Sequence, residues 1–355
     1  MTLPHLLRML KSLYRRFSND IGIDLGTANT LVYLKGHGVI INEPSIVAVN
    51  QKTGQIVAVG HEAKKMWGKT PAHITIVRPL IEGVVSDFDM TEEMLAYFIR
   101  KAEKMSKKFF RPRVVIGVPS GITNVEMRAV YDAAIDAGAR EVYLVEEAMA
   151  AAIGVRLPIL QPKATFVVDI GGGTTDIALI ALGGVVRSLN LRIAGDHMNA
   201  RVIEYLRDEF KLLVGEPTAE AVKLALGSAV ETEYQEIEVR GRDLATGLPR
   251  ALMVTDGDIR EALNRPVGFL ITGIREVLET APPEMMADVL QMGITLTGGG
   301  ALLPGLAALL EAELNLPIHI ADDPLSAVAR GTGIILDDFT TYHNVILPLD
   351  EHVIV

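Results

Sequence analysis

The sequence predicts an α/β protein built from two related halves, each carrying a glycine turn suited to phosphate. Three observations carry that prediction. From Ile21 onward, short β-rich runs alternate with segments of helical period. A strand ending in aspartate, a turn of Gly and Thr and a returning strand occur twice, over residues 24–34 and again over 169–182. The length of 355 residues, 49% of them hydrophobic, exceeds one ordinary core and suffices for two.

Composition narrows the chemistry. Cysteine is absent, which excludes disulfides, thiolate metal sites and cysteine nucleophiles. Asp and Glu number 44 against 34 Lys and Arg, a net charge of −10 that argues against nucleic acid as a partner. The longest uncharged stretch, 291–310, contains Gly298, Gly299, Gly300, Pro304 and Gly305, so it predicts strand, glycine turn and helix instead of a membrane span.

The elements follow in order. In residues 1–20, Leu3, Leu6, Leu7, Leu10, Leu13, Tyr14 and Phe17 fall within an arc of roughly 120° on a helical wheel, with Arg8, Lys11, Arg15 and Arg16 opposite. This is the pattern of a basic amphipathic helix lying in a membrane surface. A secretory signal would not interleave charges with leucines, and a mitochondrial presequence would have a spacer before the fold; docking on the protein's own core is the other alternative. Strands are expected at 21–24, 31–34, 39–41 and 45–49, then a helix over 91–105, a strand at 114–118, a helix over 124–137, a strand at 142–145 and a helix over 147–154. Pro158 and Pro162 mark a connection, and strands at 165–169, 177–182 and 185–191 open the second half. Residues 198–265 read as an inserted, more charged helical subdomain.

Chemistry concentrates in the glycine turns. In Asp24-Leu25-Gly26-Thr27-Ala28-Asn29-Thr30 the glycine admits an anion close to the backbone, and Thr27, Asn29 and Thr30 add neutral donors. The same residues would also serve as a plain hairpin turn. Asp169-Ile170-Gly171-Gly172-Gly173-Thr174-Thr175-Asp176 places three glycines between apolar strands, a costly choice for a turn with no ligand. Asp24 and Asp169, at the strand ends, are the candidates to hold Mg²⁺ through water. The third turn, Thr297-Gly298-Gly299-Gly300, has no acid before it and suits close packing against a base or sugar.

The three turns, in this order and spacing, resemble the superfamily of actin, the seventy-kilodalton chaperones and the sugar kinases. Asn42-Glu43-Pro44-Ser45, Arg78-Pro79-Leu80, Gly117-Val118-Pro119-Ser120-Gly121, Ala150-Ala151-Ala152-Ile153-Gly154 and Thr246-Gly247-Leu248-Pro249-Arg250 narrow the resemblance to the bacterial actins of the MreB family, over residues 21–336. That resemblance implies an actin-like ATPase fold: two related lobes, four subdomains in all, around a cleft for ATP or ADP with Mg²⁺. The first lobe would comprise 21–160 and 330–350 with a small subdomain at 48–80, and the second 161–329 with a small subdomain at 197–260. Asp24 and Asp169 would serve the metal, and Gly26, Thr27, Ala28, Asn29, Thr30, Gly171, Gly172, Gly173 and Thr174 the phosphates. Gly298, Gly299 and Gly300 would serve the adenosine, and Glu220 and Lys223 the ribose and base. Glu147 matches the family's water-orienting acid, with Thr174 as its partner; an acid there also suits a helix amino terminus on electrostatic grounds. Phe109 and Phe110, flanked by cations, fall where the family places an apolar membrane loop, and packing inside the first subdomain is their alternative. Three departures from the family pattern stand out: Ala148 replaces a proline, His197 and Asn199 replace acids, and Asp176 replaces a glutamate.

The expected function is therefore a filament-forming ATPase, cytoplasmic and peripheral on the inner face of the cell membrane. By resemblance it organises cell-wall synthesis in a rod-shaped cell, with itself, membrane lipid and the cell-wall elongation membrane proteins as partners. A phosphotransferase of the same superfamily is the alternative, but no acceptor-binding domain is visible. The short tail after Gly333 leaves no room for a chaperone's substrate domain, and Ala148 keeps open a scaffold that binds ATP without turnover.

Overall fold

The apolar runs that open each half of the sequence form the middle strands of two separate sheets. The computed structural model describes residues 20–106 and 111–349. These divide into two units, the first taking in the chain up to Lys65, His73–Leu157 and the described residues from Ser326, the second Met66–Ala72 and Pro158–Leu325. Leu3, Leu6, Leu7, Leu10, Leu13 and Phe17, and likewise Phe109 and Phe110, lie outside the described residues. Among the described residues, no helix is long and apolar enough to cross a membrane.

In chain order the first unit contains strands β1 (Ile21–Leu25), β2 (Asn29–Leu34), β3 (Gly38–Pro44), β4 (Val47–Asn50), β5 (Ile56–Val59), β6 (Ile74–Val77), β7 (Leu80–Ile81), β8 (Val84–Val85), β9 (Arg113–Val118) and β10 (Glu141–Glu146). Its helices so far are α1 (His61–Met66), α2 (Phe88–Ser106), α3 (Asn124–Asp136) and α4 (Glu147–Gly154). The main sheet runs β10-β9-β1-β2-β3; β1, β2 and β3 pair antiparallel, and β9 and β10 join parallel. Strands buried on both faces are mostly apolar, and β9 is buried at all six residues, apolar after Arg113. Ile21, Ile23 and Leu25 face a core shared with Met94, Leu95 and Phe98 of α2 and Val130 and Ala134 of α3. Thr123 and Glu126 form a reciprocal cap that fixes the start of α3.

The second unit repeats the plan. Its strands are β11 (Thr165–Ile170), β12 (Thr175–Ala181), β13 (Gly184–Leu191), β14 (Leu212–Leu213), β15 (Glu236–Asp243), β16 (Pro249–Thr255), β17 (Ile294–Thr297) and β18 (Ile318–Ile320). Its helices are α5 (Gly195–Phe210), α6 (Glu216–Leu226), α7 (Asp256–Glu279), α8 (Pro283–Met292) and α9 (Leu306–Leu314). The sheet runs β13-β12-β11-β17-β18 with the same sequence of antiparallel and parallel pairings as the first. The inserted segment carries the helices expected there, α5, α6 and the start of α7, and in addition a sheet that was not expected: β14, β15 and β16 form a three-stranded antiparallel sheet. The reason is a period of two, in which Ile237 and Val239 turn inward while Glu236, Glu238 and Arg240 stay exposed.

The chain then returns to the first unit through α10 (Ala327–Asp337), which covers β1, β2 and β9 and crosses α4. Downstream, Leu347 N–H donates to Leu144 O at 2.9 Å and Leu347 and Leu349 pack on the core, so the apolar residues here cover the first unit's sheet. At the opposite end of the described chain, Asp20 is buried in an ion pair with Arg113, 2.7 Å from Nη2 to Oδ2, and the guanidinium lies over the Phe339 ring.

Candidate functional site

The expected site residues fall into two groups. Asp24, Gly26, Thr27, Ala28, Asn29, Thr30 and Glu147 belong to the first unit, and Asp169, Gly171, Gly172, Gly173, Thr174, Glu220, Lys223, Gly298, Gly299 and Gly300 to the second.

In the first unit the turn joins β1 to β2 as a hairpin. Asp24 pairs with Leu31 across the hairpin and with Gly117 on the parallel side. The turn is tied down from within. Ser45 Oγ donates to Gly26 O at 2.5 Å and lies 2.9 Å from Thr30 Oγ1, while Ser45 N–H donates to Ala28 O at 3.0 Å. Thr30 is fully buried, its side chain against Ser45 and its backbone in the ladder between Leu25 and Glu43, so it supports the turn from behind. Thr27 Oγ1 accepts from Gly83 N–H at 3.0 Å, which leaves its own proton for another acceptor.

Glu147 starts α4, where a carboxylate is favoured by the helix dipole, yet it is buried, as is every other residue of that helix. It leans on β9. A Cβ at Gly117 would lie 3.4 Å from Glu147 Cγ and 2.8 Å from Val328 Cγ1, so glycine makes the room. Glu147 therefore stands beside the very residue that pairs with Asp24, at the carboxyl ends of parallel strands where α/β folds place their ligands. Ser120, two residues beyond β9, donates to Glu146 Oε2 at 3.4 Å.

In the second unit the corresponding turn is closed by Gly171 N–H to Thr174 O at 2.9 Å. Gly195 and Asp196 at the start of α5 donate their N–H groups to Gly171 O and Gly172 O, at 3.2 and 2.8 Å. Lys223 reaches the same place: its Nζ donates to Gly195 O at 3.0 Å, which sets a cation beside the glycine turn. Glu220 lies one turn earlier on α6. The third glycine turn is pressed onto the second. At Gly298, with φ +76°, a Cβ would lie 2.3 Å from Ile170 O and 2.7 Å from Asp169 Oδ1, and at Gly300 it would lie 2.2 Å from Ile170 Cγ2. These glycines are required by packing within the protein, whatever else they touch.

Asp169 is buried beneath this junction. It accepts from Thr297 Oγ1 at 2.8 Å and pairs across the ladder with Asp176, whose Oδ2 accepts from Asn190 Nδ2 at 3.0 Å. Burial pushes the Asp169 carboxyl up to about 7, the Asp176 charge adds to the rise and the Thr297 hydroxyl opposes it. Such a group favours a cation. Among the described residues no cluster of three or more His, Cys, Asp or Glu forms a cage. This donor set fits Mg²⁺, which keeps its waters and takes one or two carboxylates together with phosphate oxygens.

A stability prediction follows from that burial. The carboxyl's value in the fold lies above its unfolded value of 3.8, so the stability it contributes is complete below pH 4 and is lost as pH rises through about 7. Asp169→Asn is expected to stabilise the fold at pH 8 without nucleotide or Mg²⁺, by on the order of 4 kcal/mol at most, and so to raise the melting temperature. Its Mg²⁺-dependent nucleotide affinity is expected to fall. Thermal melts at pH 5 and pH 8 check this, with the gain expected at pH 8 and much reduced at pH 5.

Ser45, Gly83 and Asn190 were not among the residues expected at the site. The sole signal for Ser45 was its place in Asn42-Glu43-Pro44-Ser45; Gly83 and Asn190 left none.

Comparison with known proteins agrees with this geometry. The family model described as MreB/Mbl protein matches residues 18–344. The cell shape-determining protein MreB of Escherichia coli K12 is 48% identical over 334 residues, 93% of this chain and 96% of its own. Among solved structures, MreB5 of Spiroplasma citri bound to ADP has a TM-score of 0.87 at 36% identity and covers 92% of this chain and 98% of its own. The MamK double helical filament has a TM-score of 0.77 at 26% identity, covering 90% and 99%. A family match over most of the length, close sequence relatives and the shared architecture of both sheets establish that this chain has the actin-like fold and belongs to the MreB/Mbl family.

Proposed function

We propose that this protein is a membrane-associated bacterial actin that binds ATP with Mg²⁺, hydrolyses it slowly, forms filaments and organises cell-wall synthesis to hold rod shape. The observation that carries the reading is the duplicated half-site: two hairpins, each with an aspartate before its glycine turn, each turn bound to its own support, and a buried glutamate beside the first. Nucleotide binding is supported by relatives solved with ADP and with AMPPNP, and self-association by the MamK filament. In this reading Asp24 and Asp169 hold Mg²⁺ through water, the two turns and Lys223 hold phosphates, and Glu147 with Thr174 orients the attacking water. The amphipathic pattern of residues 1–20 supplies the lipid contact.

The test is co-pelleting of the full chain with vesicles of phosphatidylglycerol and phosphatidylethanolamine in ATP and Mg²⁺, with phosphate release followed in parallel. A chain beginning at Asn19 serves as the comparison. Filaments on vesicles, lost on truncation, are the expected result. A monomer at every concentration, indifferent to lipid and consuming ATP only with an added small acceptor, would replace the reading with a phosphotransferase.

A further inference from the structure

We propose that Ser45 is a positioning residue for the phosphates of the bound nucleotide, an inference that rests on the nucleotide-binding reading above. Ser45 directly follows Pro44, the last residue of β3. Proline has no N–H to extend the ladder, so the strand ends there and the next residue turns its polar atoms to the neighbouring hairpin.

Proton counting then fixes the direction of each bond. Ser45 Oγ carries one proton, and Gly26 O, 2.5 Å away, can only accept, so the proton goes there. Thr30 Oγ1, 2.9 Å from Ser45 Oγ, must therefore be the donor of that pair. The chain of hydroxyls runs one way, Thr30 to Ser45 to Gly26. With Ser45 N–H on Ala28 O, one residue holds two alternate carbonyls of the turn.

Holding a carbonyl also orients an amide. None of the described peptide bonds is cis, and in a trans planar peptide the N–H points opposite to the C=O. Drawing Gly26 O toward the buried Ser45 hydroxyl turns the Thr27 N–H away from Ser45, on a turn whose residues Gly26, Ala28 and Asn29 are partly exposed. The Thr27 hydroxyl, accepting from Gly83, keeps its proton for the same purpose. Ser45 thus prepares two donors on one residue for an anion before the anion arrives, and a prepared donor spares the ligand the cost of ordering it. Without the Ser45 hydroxyl the 26–27 peptide loses its anchor while the fold around it keeps its apolar contacts.

The experiment is a calorimetric titration of the full chain with ADP and with adenosine, both in Mg²⁺, for wild type, Ser45→Ala and Thr255→Ala. Ser45→Ala is expected to weaken ADP about tenfold or more, the scale of one charge-assisted hydrogen bond, and to leave adenosine within about twofold. Thr255→Ala removes the cap at the start of α7, where Thr255 Oγ1 accepts from Asp258 N–H at 3.2 Å, and leaves every Ser45 bond in place. It is expected to lower the melting temperature while keeping the ratio of ADP to adenosine affinity. A role confined to packing would move both ligands together. An unchanged ratio in Ser45→Ala, or a ratio in Thr255→Ala that falls just as far, would overturn the proposal and leave nucleotide binding standing. A wild type that binds neither ligand would overturn both. Should Ser45→Ala not fold, amide exchange on the wild type decides: the Thr27 amide is expected to slow with ADP and not with adenosine, and equal exchange under both would overturn the assignment.

Discussion

Glu147→Ala is expected to lower single-turnover phosphate release by about 10²-fold or more while leaving ATP affinity within about twofold. The argument begins with how the residue is held. Glu147 is the first residue of α4, and that helix is buried along its whole length, Ala148 included. Where the family pattern has a proline to stiffen the start of this helix, here packing on every side does so. Glu147 also fills the space that Gly117 leaves open, beside the residue paired with Asp24. In the proposed reading the base and sugar are held by other residues, so removing this carboxylate should spare binding. It would still deprive the attacking water of its orienting partner. Glu147→Gln keeps the shape and an acceptor oxygen and should fall between alanine and wild type. Phosphate release by Glu147→Ala at the wild-type rate would end the catalytic assignment and favour a scaffold that binds ATP without turnover.

How much of this was legible in the sequence depended on the range of the interaction. The paired hairpins were visible because an apolar strand, a terminal aspartate and glycine turns are local, and their recurrence at Asp24 and Asp169 pointed to two sheets. The sheet of β14, β15 and β16 was missed because its outward positions, Glu236, Glu238 and Arg240, are charged. Charge in that density resembled a solvated helix, although Ile237 and Val239 alternate with it. Ser45 was hidden for a different reason. Its bonds reach Thr30 and Gly26, 15 and 19 residues away, and no pattern of hydropathy records a hydroxyl's partner. The rise of the Asp169 carboxyl was hidden likewise, since it depends on burial created by Ile170, Thr297 and Gly298 coming together. The alanine-rich run of α4 was legible as a motif, but its reason became visible only with α10 against it.

That reason yields the second large effect. Gly331→Ala is expected to destabilise the protein by about 3 kcal/mol, the upper range for overpacking a closed contact. A Cβ at Gly331 would lie 1.8 Å from Ala150 O and 2.5 Å from its carbonyl carbon. At Gly154, on the facing helix, it would lie 1.9 Å from Ala327 O. Both obstacles are backbone, so no side chain can rotate out of the way and α4 and α10 must separate. Ala150 is small for the same cause: the two helices approach to backbone contact there. For a unit of this size the loss corresponds to a melting temperature lower by roughly 6–12 °C. Because α4 carries Glu147 at its first residue, the displacement should reach the chemistry too, reducing phosphate release in the fraction that remains folded. Gly268→Ala in α7 is the matched control. That position is helical and exposed and nothing lies within 4 Å of its Cβ, so the same exchange should stabilise by about 0.5–1 kcal/mol through helix propensity. Opposite signs for one chemical change, measured by thermal melting, would show that the contact between α4 and α10 decides the effect. Equal small gains at both positions would mean that the helices have room to part, and that Glu147 is held by something other than their crossing.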